Sequence, residues 1–190
     1  MDKKWLPLTL VLGAAAAAVV TASLWPDDPK PPLPQSLCQG ALSRTTAELI
    51  DDGRGGEVSA EEWESKGKSS DYAVFRTCQV QRADPDSASP RGIFQLIVAD
   101  QRHDSGPRKD SVPLGPGFKG WALPEEAEAT LPAGCAARLG STAPYLTVTL
   151  KAPSQEEEKG LVDRNTALRN SAAVVREAAA NLTKKYGCEA

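Results

Sequence analysis

The longest uninterrupted apolar stretch of the chain lies near its start and predicts a membrane-spanning helix. A short basic head at residues 1–4 precedes a run without charged residues from Trp5 to Trp25. A charge-free helix of about 20 residues matches the hydrocarbon thickness of a bilayer. The lysines of the head favour a cytoplasmic N-terminus. We therefore predict a signal anchor at 5–25, with the rest of the chain outside the cytoplasmic membrane.

A cleaved secretory signal is the alternative interpretation of this run. Secretory signals end in small residues at a cleavage site, and Val20-Thr21-Ala22 has that character. The spanning length of the run favours the uncleaved anchor, and tryptophans at both of its ends are typical of bilayer interfaces. In the alternative, the protein is secreted after cleavage near Ala22.

Beyond this run, alternating apolar positions predict an antiparallel sheet. Residues 72–82 and 92–100 are predicted strands, and the proline-, serine- and aspartate-rich loop between them favours a hairpin. Another alternating segment, Tyr145–Leu150, predicts a further strand. An apolar stripe along 160–186 predicts a C-terminal helix that ends at Gly187. The expected fold class is α+β, an antiparallel sheet packed by one long C-terminal helix.

The remaining segments complete the predicted layout. Prolines at 26–34 indicate an extended linker. Residues 35–190 then form one extracytoplasmic domain, with 35–104 and 112–190 as possible halves. The polar stretch between them is rich in glycine and proline, so we expect an exposed crossover there.

Two local patterns predict short helical segments before the first strand. Apolar spacing favours a helix at 41–51. The stretch Ser59–Glu62 has the spacing of a capping box, which favours one helical turn carrying Trp63.

The four cysteines all follow the apolar run. An even number of cysteines in an exported chain favours disulfides, because nothing outside the cytoplasm keeps thiols reduced. No two of them have zinc-site spacing, so we predict neither a metal nor a cofactor. Three pairings are possible. The layout favours Cys38–Cys78 and Cys135–Cys188, since Cys188 directly follows the predicted helix end and is well placed to fasten it.

The charge balance excludes one class of partner. The chain has 22 Lys+Arg against 25 Asp+Glu, a net charge of −3. Nucleic-acid binding needs a basic face that replaces counterions. We therefore expect no nucleic-acid partner, and no basic patch for an anionic lipid surface.

The candidate catalytic motifs lack either the residue spacing or the companion motifs that their chemistry requires. Gly67-Lys68-Ser69 lacks the earlier glycine of a phosphate-binding loop, and the S-x-x-K stretch that starts at Ser65 lacks its partner elements. His103-Asp104 has the residue types of a base and its orienting acid, but no nucleophile elbow accompanies it. Neighbouring carboxylates with the residue types for sugar hydrolysis are Asp51-Asp52, Glu61-Glu62 and Glu125-Glu126.

Two tryptophans are the better candidates for a recognition surface. Exposed indoles anchor interfaces, so Trp63 and Trp121 form a possible interaction surface. Core packing is the alternative interpretation and the favoured one, because the chain has few aromatic residues to fill a core.

Four features of the sequence resemble those of a known class of exported proteins. They are the basic start, the alanine-rich span, the two Leu-Pro elements before Cys38 and Cys135, and the helix end before Cys188. The chain resembles small membrane-anchored exported proteins of high-GC Gram-positive bacteria. That resemblance implies a location and no catalytic residues. The function expected is a membrane-tethered, non-enzymatic binding or structural module that contacts an envelope protein or wall component. A cell-envelope hydrolase acting through carboxylates or the His103 loop is the alternative.

We expect the full-length chain, alkylated without reduction, to keep its whole mass and gain no alkyl groups. An uncleaved anchor retains residues 1–22, and two disulfides leave no thiol to react. Intact-mass spectrometry of protein from a native-like host checks this. Loss of residues 1–22 would show cleavage, and four alkylated thiols would contradict both the disulfides and the exported location.

Overall fold

The structure, a computed structural model of the chain, describes the part of it in which the sheet and the long helix lie. The described residues are 31–51, 54–65, 73–85, 87–153 and 162–188. The predicted anchor at 5–25 lies outside them. Within these ranges no helix is both long enough and apolar enough to cross a bilayer.

The described elements are mostly strands, with one long helix at the C-terminal side. In chain order they are β1 (Ser36–Leu37), β2 (Leu42–Ser43), α1 (Arg44–Ala47), β3 (Val58–Ser65), β4 (Phe75–Arg82), β5 (Arg91–Gln101), β6 (Val112–Pro113), β7 (Lys119–Ala122), β8 (Glu126–Thr130), α2 (Cys135–Arg138), β9 (Tyr145–Lys151) and α3 (Arg164–Tyr186). The short strands β1 and β2 pair with each other. The other seven form one sheet in the order β3-β4-β5-β9-β8-β7-β6, with every neighbouring pair antiparallel.

The α+β architecture with its C-terminal helix is confirmed, as is the hairpin of β4 and β5. The helix begins at Arg164, where Asp163 accepts hydrogen bonds from the backbone N–H groups of Asn165 and Thr166. Its end is also as predicted, since Gly187 has a φ of 62° and is left-handed. The predicted start at residue 160 lies outside the described residues.

The long helix packs on one face of the sheet, mainly against β8 and β9. Alternate residues of the strands are buried there, because successive side chains of a strand point to opposite faces. They join the helix residues in one apolar cluster: Cys78, Val80, Leu96, Val98, Ala127, Ala129, Leu146, Val148 and Leu150 with Val174, Val175, Ala178, Ala179 and Leu182. The segment 125–128, acidic in sequence, supplies the fully buried Ala127 to this face.

Close packing also explains Gly120 on β7. Its φ is +148°, and a Cβ there would overlap the carbonyl oxygen of Glu128 on β8. Only glycine fits this position, because any side chain would push the two strands apart.

The two possible halves of the domain share one sheet, since β5 from the first pairs with β9 from the second. Residue Leu33, assigned by sequence to the linker, is 1 % exposed and belongs to the core cluster. The folded domain therefore includes the end of that proline-rich segment.

Two short helical predictions were wrong in extent or kind. The helix expected at 41–51 is reduced to the single turn of α1, because β2 occupies its start. The helical turn expected at Ser59–Glu62 is part of β3, which pairs with β4 along its whole length. A capping box contributes only local hydrogen bonds. The backbone hydrogen bonds to β4 along the whole strand outweigh them.

Both preferred disulfides are present. Cys38 bonds to Cys78 on β4, and Cys135 bonds to Cys188 just past the end of α3, with Cα–Cα distances of 5.5 and 5.1 Å. Each closes a loop of tens of residues. In the chain-entropy model each raises the free energy of the unfolded chain by about 4 kcal/mol and so stabilises the fold. The first holds the N-terminal segment to the sheet, and the second holds the helix end to α2.

A buried ion pair ties the same N-terminal segment to β4. The guanidinium of Arg82 donates to both carboxylate oxygens of Asp51, at 3.1 and 2.6 Å. It also donates to the carbonyl oxygens of Pro31 and Gly56, at 3.1 and 3.0 Å. Both charged side chains are nearly inaccessible to solvent. Three separate stretches of chain therefore meet at one arginine.

We expect Asp51→Asn to lower the free energy of unfolding by about 3–5 kcal/mol, because it leaves the buried charge of Arg82 uncompensated. Urea unfolding of the full chain with its disulfides intact measures this. The matched control is Glu64→Gln, which removes an exposed partner of Arg76 and should cost less than about 1 kcal/mol. Equal costs for the two variants would contradict the role given to the Arg82 pair.

Candidate functional site

The strand β3 is the most exposed element of the sheet. It lies at one end of the strand order, so one of its edges faces away from the sheet. Every residue from Ser59 to Glu64 is exposed, on both faces of the strand. No other strand of the described chain pairs with its outer edge. A strand exposed on two faces and one edge is unusual, since strands normally bury one face.

Trp63 is the large apolar side chain of this strand, and it is 44 % exposed. It stands opposite Thr77 of β4, on the face of the sheet away from the long helix. Thr77 is 3 % exposed, and its hydroxyl has no hydrogen-bond partner among the described residues. The indole of Trp63 is therefore accessible from solvent.

Three glutamates make β3 acidic. Glu64 accepts hydrogen bonds from Nε and Nη2 of Arg76, at 3.2 and 3.0 Å. Glu61 and Glu62 make no ion pair to another described residue. Because neighbouring side chains of a strand alternate, Glu61 shares a face with Trp63, and Glu62 shares the opposite face with Glu64.

A cleft of about 330 Å³ lies beside β3. Residues that line it come from β3, β4, the end of α3 and the first disulfide: Cys38, Gln39, Ala41, Glu62, Trp63, Glu64, Arg76, Thr77, Cys78, Leu96, Val98, Leu182, Lys185 and Tyr186. Arg76 lies 5.5 Å from the centre of the Tyr186 ring and donates to its hydroxyl at 3.3 Å. Partial burial opposes the charge of Arg76, but its bonds to Tyr186 and Glu64 raise its pKa. The cleft thus offers apolar walls with acidic groups along the β3 side.

The predicted pair His103-Asp104 does not form a base with its orienting acid. His103 is exposed, and Asp104 bonds to Lys119 Nζ at 2.5 Å and to the backbone N–H of Gly106. The bond from Lys119 lowers the pKa of Asp104. The carboxylate of Asp104 is therefore engaged in an ion pair with Lys119.

His103 does share a cavity with a buried acid, Asp100, which is 5 % exposed. The oxygens of Asp100 accept from the backbone N–H groups of Ala73 and Val74 and from the hydroxyl of Ser141. These bonds hold the segments just before β4 and β9 against β5. The carboxylate of Asp100 is thus occupied by backbone N–H groups and a hydroxyl, so its main effect is to stabilise the sheet.

The other predicted carboxylate pairs are dispersed over the fold. Asp51 is taken by Arg82, and Asp52 lies outside the described residues. Glu125 is exposed, while Glu126 pairs with Arg108 at 2.8 Å. Residues 66–72, which include Lys68, the lysine shared by both rejected motifs, also lie outside the described part. Among the described residues no group of three or more His, Cys, Asp or Glu side chains is placed to hold a metal.

Trp121 is buried on the face of the sheet away from the long helix. It is 2 % exposed, Arg108 stacks 5.0 Å from its ring centre, and its Nε1 has no described partner. Of the two tryptophans named as a possible interaction surface, Trp63 is exposed and Trp121 is buried.

Beside Trp121, the structure buries a carboxylate that the sequence did not single out. Glu128 is 8 % exposed and accepts from the hydroxyls of Ser105 and Thr149, at 2.5 and 3.3 Å. Its pairing with Trp121 across β7 and β8 places both on the face away from the long helix. The hint in the sequence was the alternation of Glu126 and Glu128 with alanines, which is typical of a half-buried strand.

We expect Trp63→Thr to change the free energy of unfolding by less than about 1 kcal/mol, because it removes one surface cross-strand contact. Trp121→Ala should cost about 3–5 kcal/mol, because it empties a core position. Urea unfolding of both variants checks the contrast. A cost for Trp63→Thr as large as that for Trp121→Ala would show that Trp63 is a core residue and not an available surface.

Comparison with protein-family models, with curated proteins and with solved structures gave no match to this chain. The exposed strand, its charges and the adjacent cleft are the observations that bear on its function.

Proposed function

We propose that this protein is a membrane-tethered, extracytoplasmic binding module of the cell envelope, without an enzymatic activity of its own. The observation that carries the proposal is the exposure of β3 on both faces and one edge, with the exposed Trp63 on it. Indoles on a surface with unsatisfied backbone groups are typical of partner sites.

The location rests on two independent features. The charge-free run at 5–25 has the length of a signal anchor. The two disulfides are stable where thiols are not kept reduced, which favours a compartment outside the cytoplasm. Together they support a single-pass protein with its C-terminal domain outside, or a secreted one if the signal is cleaved near Ala22.

An envelope hydrolase is the second candidate, and the cavity shared by His103 and Asp100 is the observation that favours it. Against it, Asp100 is bonded to two backbone N–H groups and a hydroxyl, and Asp104 is bonded to Lys119. Neither acid is free to orient the imidazole of His103, which a triad mechanism requires.

We expect a photo-reactive amino acid at position 59 to crosslink a partner in membranes of the native host. Ser59 is exposed and lies on the same face of β3 as Trp63, so the substitution keeps the indole in place. The matched control is the same amino acid at position 125, an exposed glutamate outside β3. Denaturing electrophoresis after irradiation would show adducts at 59 and none at 125.

Equal adducts at both positions would indicate random collision, and no adduct at 59 would contradict the binding function. A His103→Ala variant that abolished a hydrolytic activity of the purified protein on envelope material would instead support the second candidate.

A further inference from the structure

We infer that β3 binds an extended, basic segment of a partner protein, which adds to the sheet as an eighth strand. This inference rests on the proposed binding function and names the class of partner and the way in which it docks. It follows from the difference between the two ends of the sheet, from the charge of β3 and from the cleft beside it.

The two ends of the sheet differ in how they are protected. The end at β6 is a strand of two residues that includes Pro113, and short strands and prolines block further pairing. The end at β3 is an eight-residue strand without proline or lysine, paired to β4 in a continuous register without a bulge. Among the usual devices that prevent a strand from pairing it has only charged side chains, its three glutamates, and in the described chain nothing covers its edge.

The charge of β3 selects the occupant. Glu61 and Glu62 have no described cationic partner and project from opposite faces of the strand. Lysines or arginines of an added strand would lie directly across from them, and opposite charges across a strand pair are stabilising. An acidic segment would be repelled by Glu61 on the face of Trp63, whereas on the cleft side Glu62 and Glu64 lie near Arg76 and Lys185, which moderate the repulsion. The partner strand is therefore basic.

The same charges disfavour a second copy of this chain as the occupant. In a continuous sheet with both long helices on one side, β3 would pair antiparallel with itself about a two-fold axis. Centring that axis on Glu61 places Glu61 against its own copy, and centring it on Glu62 does the same for Glu62. Centring it on Trp63 places Glu62 against Glu64. A register centred on Ala60 avoids pairs of glutamates but joins only residues 58–62 of each strand. Like charges directly opposite each other destabilise a strand pair.

The surroundings of β3 provide side-chain selectivity as well as backbone bonds. On the helix side, alternate side chains of the added strand would enter the cleft of about 330 Å³ that Glu62, Glu64 and Tyr186 line. On the other side they would meet Trp63, whose face attracts both apolar groups and the guanidinium of arginine. In this recognition mode the backbone bonds supply affinity and the alternate side chains supply specificity.

The test is titration of the purified full-length chain, in zwitterionic detergent, with an extended peptide as long as β3 in which lysine alternates with valine and threonine. Binding is followed by calorimetry and by amide hydrogen exchange. The expected result is binding that weakens with added salt and slows the exchange of backbone amides in β3. The same peptide with glutamate in place of lysine should not bind.

Two further peptides separate strand addition from simple charge attraction. Both keep every side chain of the lysine peptide, and each carries N-methyl groups on the amides of one of the two edges of the strand. Losing several backbone hydrogen bonds should weaken binding by about tenfold or more for one of the two methylated forms. Equal binding of both methylated forms and the parent would overturn the inference.

Variants of the protein complete the test. Glu61→Lys with Glu62→Lys should abolish binding of the lysine peptide, while Glu125→Lys, the matched control, should leave it unchanged. Sedimentation of the unliganded chain must show no self-association through β3; a dimer lost in the double variant would make a second copy the occupant. If the peptides fail while crosslinking at position 59 persists, the binding function stands and strand addition does not.

Discussion

A single long helix has to stabilise a sheet that is wider than itself, and the rest of the structure follows from that mismatch. Seven strands about 4.8 Å apart span roughly 30 Å, whereas one helix with its side chains is about 10 Å across. The helix α3 lies mainly over β8 and β9. The strands at the β3 side therefore need another cover, and the N-terminal segment at 31–51 provides it for β4.

That segment is held by bonds to both of its neighbours. Cys38 and the Asp51–Arg82 pair join it to β4. Toward the helix, Glu177 accepts from the backbone N–H of Ser43 at 2.8 Å, and Asn181 donates to the carbonyl oxygen of Ala41 at 3.1 Å. A stretch with little regular structure can cover a core only when such specific bonds fix it. The cover ends at β4, which leaves β3 exposed.

The sequence predicted well the elements that depend on apolar periodicity, and poorly the elements that depend on pairing with a neighbouring strand. The helix α3, the hairpin of β4 and β5, and β9 have clear apolar patterns. The position of Cys188 just beyond the helix end favoured, without fixing, its pairing with Cys135. β3 has no such pattern, because both of its faces are exposed and its residues carry no alternation to read. The strand exists because β4 offers it a backbone partner, and that cannot be seen in the residues of β3 alone. For the same reason the candidate site was found only in part, through Trp63.

Buried polar residues were the other class that the sequence could not place. Arg82, Asp100 and Glu128 look like surface charges in a strand pattern, yet each is buried and bonded to groups far along the chain. Their partners, such as Asp51 for Arg82 and Ser141 for Asp100, become neighbours only when the sheet has formed. Buried charged side chains in this fold therefore hold distant segments of the chain together, whereas the charged side chains of β3 stay on the surface.

The position of the first disulfide has a mechanical consequence. A pull on the chain from the N-terminal side of Leu33 meets first the hydrogen bond between Arg82 and Pro31, and then the burial of Leu33 itself. Beyond these, the force reaches Cys38 and passes through a covalent bond into the middle of β4. Unravelling from that end stops at Cys38 unless a sulfur–sulfur bond breaks. Because the disulfide closes the loop at 39–77, a pull from that end bypasses this loop and loads β4 and its pairing with β3 and β5 directly.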